Sequence, residues 1–317
     1  MSRTGQRLPE TEKATEEEQG LFSHTKRFQY NAKPDAPDPV YAKQLQELIG
    51  GQWGEMSVTM GYLFQGWNCR GPAKYRDMLL DIGTEEIGHI EMLATMVARL
   101  LETSPVEAEK AAEGGGDGGV VGAVLGGQDT QSAIMTAAMN PHHAIVSGLG
   151  AVPRDSNGNA WTSDFIVSSG NLMADFRFNV TAESQGRLQA ARLYQLTEDA
   201  GVRDMLSFLI ARDTMHQNQW LAAIEELKAD GLEETPVPAL FPQEQEHTDV
   251  SYKYLSFSEG QESAEGRWAS GPSMDGKGEI EYVASPQALG PEMDELDPPV
   301  EPRLYSTPKG PMPPASS

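Results

Sequence analysis

The sequence predicts an all-α fold: a four-helix bundle with a long crossover between its second and third helices, an irregular N-terminal arm and an extended C-terminal tail. Three observations predict it. Apolar residues recur at three- and four-residue steps through four long segments, the period of a helix with one buried face. Each segment carries a carboxylate that can point inward, and two of them add a histidine three residues later. A Gly-rich stretch, too long for a tight turn, separates the second segment from the third.

Residues 1–38 read as the arm, because K-P-D-A-P-D-P at its end removes N–H donors and restricts each preceding residue. Residues 39–230 read as the bundle. Val40, Leu45, Leu48, Ile49, Trp53, Met56, Tyr62 and Leu63 form the first helical stripe. Gly71-Pro72 ends it, and a second helix is expected from about Ala73 to Glu102, closed by Ser104-Pro105. The Gly-rich stretch from Gly114 to Gln128 has no helical pattern. One or two short helices, broken at Asn140-Pro141, are expected between Thr130 and Gly150, and a turn at Asp155 to Gly158. The third helix should span Ser169 to Thr197 and the fourth Val202 to Lys228.

Residues 231–317 form the tail. From Phe241 onward it holds eleven of the 21 prolines, and fourteen acidic against five basic residues. Such composition usually means disorder. Tyr252, Tyr254, Leu255, Phe257 and Trp268 argue instead for an ordered, extended tail that packs on its own bundle or on a neighbouring subunit.

Charge and cysteine content narrow the function. Lys and Arg total 24 against 47 Asp and Glu, a formal net charge of −23. Such a surface repels phosphate backbones and anionic lipid, which excludes nucleic acid as an expected partner. No apolar run reaches membrane-spanning length, and residues 1–28 have no apolar signal-peptide core. The single cysteine, Cys69, rules out an intrachain disulfide framework and fits a cytoplasmic protein.

The chemistry lies in Glu55, Glu86 with His89 (E-I-G-H), Glu183, and Asp213 with His216 (D-T-M-H). Residues three apart on a helix lie about 60° apart and share a face, so each pair can chelate one ion. Four carboxylates converging in an apolar interior repel one another unless cations lie between them. This order of donors matches a known template for two-metal carboxylate sites in helix bundles. On the same wheel Glu85, Glu91, Asp77 and Asp81 are expected to face elsewhere. Tyr62, seven residues after Glu55, brings a phenol toward the site, although an ordinary core tyrosine fits the same pattern. His142-His143 reads as structural or surface, and His24 and His247 fall in the arm and tail.

At these residues the chain resembles the manganese catalases. The resemblance is carried by G-G-Q-W-G-E-M-S-V-T-M-G-Y (Gly50 to Tyr62), D-I-G-T-E-E-I-G-H-I-E-M (Asp81 to Met92) and S-S-G-N-L (Ser168 to Leu172). It continues through A-E-S-Q-G-R-L-Q-A-A-R-L-Y (Ala182 to Tyr194), G-V-R-D-M-L-S-F-L-I-A-R-D-T-M-H (Gly201 to His216) and F-S-E-G-Q-E-S-A-E-G-R-W (Phe257 to Trp268). It implies a ferritin-like fold, two manganese ions per subunit and disproportionation of hydrogen peroxide, in a homohexamer. It implies one ion on Glu55, Glu86 and His89, the other on Glu183 and His216, with Glu86 bridging. Asp213 stands where some relatives have a glutamate near bridging solvent, and is expected to relay protons; it is one methylene shorter. Ala182 stands where some relatives carry a gating arginine, which implies a more open channel. A subgroup's calcium site maps to Asp77, Asp81, Ser256, Ser258 and Gly260, oxygen donors of the kind calcium prefers. Carboxylate and imidazole also accept iron, so a di-iron oxidase or peroxidase is the alternative enzyme. A spore-coat-type structural protein on the same scaffold is the alternative of another class.

Overall fold

The computed structural model describes residue 24 and residues 27–102, 147–232, 241–257 and 259–288. The Gly-rich stretch, His142-His143 and the short helices expected before residue 147 lie outside the described residues, as does Ser258. The chain forms two compact units, Met1–Val237 and Pro238–Ser317.

In the first unit α1 (Pro39–Leu45), α2 (Glu47–Gly50) and α3 (Glu55–Asn68) precede α4 (Ala73–Leu100). After the crossover come α5 (Leu172–Gln195) and α6 (Ala200–Ala229). Side-chain caps fix several starts. Asp38 accepts from Tyr41 N at α1, Asn171 from Ala174 N at α5 and Asp199 from Val202 N at α6. Each satisfies an N–H that the first helical turn leaves unbonded.

The first helical stripe is not one helix. It breaks into α1, α2 and α3 because a returning loop occupies the space beside it. A Cβ on Gly50 would lie 2.5 Å from the Arg154 backbone. Gln46, buried at the α1–α2 junction, holds that loop by accepting from Val152 N and donating to Val152 O, at 3.0 and 2.7 Å. The turn expected at Asp155 to Gly158 forms, closed by Gly158 N donating to Asp155 O.

Helices α3 and α4 pack as one hairpin and α5 and α6 as another. Two apolar clusters sit toward opposite ends of the bundle. One gathers Leu45, Met92, Met96, Leu100, Met205 and Leu209. The other gathers Tyr62, Leu79, Ile82, Phe176, Trp220 and Leu227. On α4 the residues between the clusters are Glu86 and His89; on α6 they are Asp213 and His216. The polar site is thus a layer sealed between two greasy ones.

The second unit adds a small sheet to the ordered, extended tail that the aromatic residues led us to expect. Strands β1 (Lys253–Leu255), β2 (Gly271–Pro272) and β3 (Glu279–Val283) form a small sheet in the order β1-β3-β2. β3 pairs parallel with β1 and antiparallel with β2. Tyr254 and Tyr282 meet edge to face across it, with centroids 5.2 Å apart. Phe257 and Trp268 remain exposed in this chain.

Candidate metal centre

Glu86, His89 and His216 are fully buried, and Glu183 and Asp213 nearly so. Glu86 lies at the middle. Its Oε2 is 2.5 Å from His89 Nδ1 and its Oε1 is 2.7 Å from His216 Nδ1. Glu55 Oε1 lies 3.9 Å from His89 Nδ1, and Glu183 Oε1 lies 3.9 Å from His216 Nδ1. Two sets of donor atoms result, Glu55–Glu86–His89 and Glu86–Glu183–His216, each with all ligand atoms within 4.8 Å of one another. Glu86 belongs to both.

One detail tests whether metal ions fit. Both Glu86 oxygens and the Nδ1 of both histidines are buried without a hydrogen bond, although they approach at 2.5–2.7 Å. The same atoms fall into the two sets that could each surround an ion. Buried charged groups left this way are costly without a cation.

Burial and like charge shift the ionisable groups of the site. Burial, then the neighbouring Glu86, pushes Glu55 and Glu183 well above the usual carboxylate range. The same two causes raise Asp213 to about 7. Burial works against ionised Glu86, but His89 and His216 outweigh it and hold that carboxyl below its ordinary range. Against burial, Glu86 raises His89, and Glu85 with Glu86 raises His216 to about 10.

Asp213 belongs to neither donor set. It lines a cavity of about 10 Å³, the volume of one water, together with Trp53, Glu55, Val58, Ala182 and Glu183. Ala182 borders the same small cavity. Arg187, one turn beyond Glu183, donates to Gln217, and its charge acts on Asp213 to lower it. Tyr62 donates to Glu183 Oε1 at 2.6 Å. Trp220 Nε1 donates to the same oxygen at 3.3 Å, which leaves Glu183 Oε2 for another ligand.

Glu85 adds to the helical-wheel reading. It does leave the interior, but it closes on the outer side of the site: its Oε2 lies 3.1 Å from His216 Nε2. Arg212 holds it in a fork at 2.6 and 3.2 Å. Hydrogen bonding to His216, then to Arg212 and Gln29, keeps Glu85 well below the usual carboxylate range. Glu91, on the outer face of α4, contacts His24 at 2.6 Å. Trp220 was equally unforeseen; only its spacing, four residues after His216, pointed inward.

Residues 21–309 match the family described as manganese containing catalase. The chain belongs to the manganese catalase family. Its bundle is the ferritin-like fold of that family. A manganese catalase of Bacillus subtilis is 56% identical over 279 residues, covering 88% of this chain and 95% of the relative. A manganese catalase of Lactiplantibacillus plantarum is 43% identical over 293 residues, covering 90% and 99%. The crystal structure of wild-type KatB, a manganese catalase from Anabaena, superposes with a TM-score of 0.62 at 25% identity, covering 84% of this chain and all of that one. Among the described residues, no helix is long and apolar enough to cross a membrane. Asp77 and Asp81 are exposed, one turn apart on α4, whereas Ser256 and Gly260 belong to the second unit. None of these four falls in a donor set.

Proposed function

We propose that this manganese catalase disproportionates hydrogen peroxide to dioxygen and water at a pair of manganese ions. Glu55, Glu86 and His89 hold one ion, and Glu183 and His216 the other, with Glu86 shared. The observation that carries the reading is Glu86, whose two oxygens lie against two imidazoles that neither oxygen hydrogen-bonds. Manganese is assigned from family membership, since the donor types alone accept iron as readily. When bound, the pair supplies a two-electron redox capacity, one electron per ion, so one peroxide is oxidised and a second reduced with no external reductant.

The chain's own groups have three tasks. Tyr62 and Trp220 fix Glu183 through one oxygen. The small cavity beside Glu55 and Glu183 offers room for a molecule about the size of water next to the donor sets. Asp213, on the wall of that cavity, is placed to take up or give a proton beside the metal pair. On the resemblance, the reading extends to a homohexamer, a cytoplasmic location, and calcium at Asp77, Asp81, Ser256, Ser258 and Gly260.

Elemental analysis together with oxygen release from peroxide, with and without azide, tests the proposal. Two manganese per chain and turnover without reductant are expected; His89→Ala and His216→Ala should lose both metal and turnover. Wild-type turnover in either variant rules out this site. A requirement for a reductant points to the iron-type peroxidase, and a manganese-loaded but inert protein to a structural role.

A further inference from the structure

We propose that the N-terminal arm is a working part of the metal centre: its consecutive residues Gln29 and Tyr30 each brace one of the two histidines through a single intermediary. This rests on the two-manganese reading above.

The first branch runs through Glu85. Adjacent to Glu86 on α4, Glu85 is rotated by about 100° and passes behind the site instead of into it. Its Oε2 faces His216 Nε2 at 3.1 Å. An imidazole that donates from Nε2 keeps its lone pair on Nδ1, the atom that faces Glu86. Glu85 thereby selects the ligating tautomer of His216 and its ring direction. Glu85 is in turn fixed by the Arg212 fork and by Gln29, whose Nε2 donates to Oε1 at 2.7 Å. A bidentate guanidinium with a third donor leaves the carboxylate little freedom.

The second branch runs through Phe208. Glu85 lies 3.8 Å from His89 Nε2, and that nitrogen has no hydrogen bond. The His89 ring instead stands perpendicular to the Phe208 ring, with centroids 6.4 Å apart and planes at 87°. Tyr30 stacks on Phe208, with centroids 4.5 Å apart and planes within 2°, and its hydroxyl donates to Asp204 at 3.1 Å. One histidine is therefore held by polar contacts and the other by packing, and both lines of support end on the arm.

The arm is well placed to bear this role. His24 contacts Glu91 on α4 at 2.6 Å, and Arg99 donates to the carbonyl of buried Ala32 at 2.9 Å. Asp35 N and Ala36 N donate to Asp199, and Ala200 N donates to Asp35 in return. Gly201 lets the chain pass this close, since any Cβ there would strike the Lys33 carbonyl.

The test is the rate at which manganese leaves the loaded, full-length enzyme for excess EDTA, with the electron paramagnetic resonance of the manganese pair recorded alongside. Glu85→Gln should speed release about 10- to 100-fold, the usual reach of groups that orient metal ligands. Gln29→Ala and Tyr30→Ala should each speed it by a smaller factor and change the resonance, and the double variant should approach Glu85→Gln. Tyr30→Phe, which keeps the ring on Phe208, should restore most of what Tyr30→Ala loses. Release and spectra like the wild type in Glu85→Gln and in both alanine variants overturn the proposal. So does a lowered Tm of the metal-free variants with unchanged spectra, which is the mark of a merely structural arm. A wild-type chain that holds no manganese pair sinks the parent reading instead.

Discussion

The two hairpins of the bundle offer nearly the same donors, yet the structure uses them differently. α3 and α4 bring Glu55 and the pair Glu86–His89; α5 and α6 bring Glu183 and the pair Asp213–His216. Glu86 reaches the midline and touches both imidazoles. Asp213, its counterpart on the other hairpin, is one methylene shorter and ends on the wall of a water-sized cavity. A pattern that repeats in sequence has thus produced one carboxylate shared between two ligand sets and one carboxylate beside the space where a small molecule fits. Position on the helix, more than residue type, decides which carboxylate joins the donor sets.

The largest expected effect breaks that comparison directly. Glu86→Gln removes charge from both donor sets, so manganese should fall from two per chain to near none, and oxygen release with it. Asp213→Asn should keep two manganese per chain while turnover drops by about 10²-fold, the low end of what a positioned proton-transfer group contributes. Elemental analysis beside oxygen release reads both. If Asp213→Asn loses its metal as Glu86→Gln does, the two carboxylates are equivalent and the asymmetry is only apparent.

A smaller effect follows from pH. In the metal-free protein Glu55, Glu183, Asp213, His89 and His216 all have folded-state pKa values above their ordinary ones. Their proton-bound forms favour the fold at low pH, and that contribution is lost as pH rises through about 7 for Asp213 and on toward about 10 for His216. Manganese binds the deprotonated ligands, so loading gains strength over the same range. The Tm difference between loaded and metal-free protein should therefore be small near about pH 5 and widen by several degrees toward about pH 9. A constant or narrowing difference would mean that protons do not compete with metal here.

How much was legible in the sequence depended on whether one helix sufficed to read it. Glu86 with His89, and the inward face they share, follow from the 3.6-residue period of α4 alone. The spans of α5 and α6 were legible to within about three residues at each end, although the caps that set their starts, Asn171 and Asp199, were not picked out. Glu85 was misjudged because its role depends on where His216 of another helix turns its outer nitrogen. The break at Gly50 was hidden because its cause, the backbone of Arg154, lies over a hundred positions away. The sheet of the second unit was missed for a similar reason. Its strands are two to five residues long and are defined only by pairing across the turns between them. Periodicity sees faces; it does not see what arrives from elsewhere to occupy them.

The smallest expected effect probes the hairpin that carries Glu183. Tyr62 and Trp220 both donate to Glu183 Oε1, but Tyr62 does so at 2.6 Å and Trp220 at 3.3 Å, so the phenol is the stronger partner. Tyr62→Phe keeps the ring packed on Trp220, with centroids now 4.8 Å apart, and removes only the hydroxyl. A hydrogen bond to a charged acceptor contributes about 1.5 kcal/mol at the low end, roughly tenfold in an equilibrium constant. Because Glu183 serves only the ion paired with His216, that ion alone should be weakened. Manganese should leave Tyr62→Phe in two phases of about equal amplitude, the faster one accelerated by roughly tenfold, while the slower phase keeps the wild-type rate. A single accelerated phase carrying both ions would show that the two hairpins grip their metals as one unit, and would dissolve the division drawn between them.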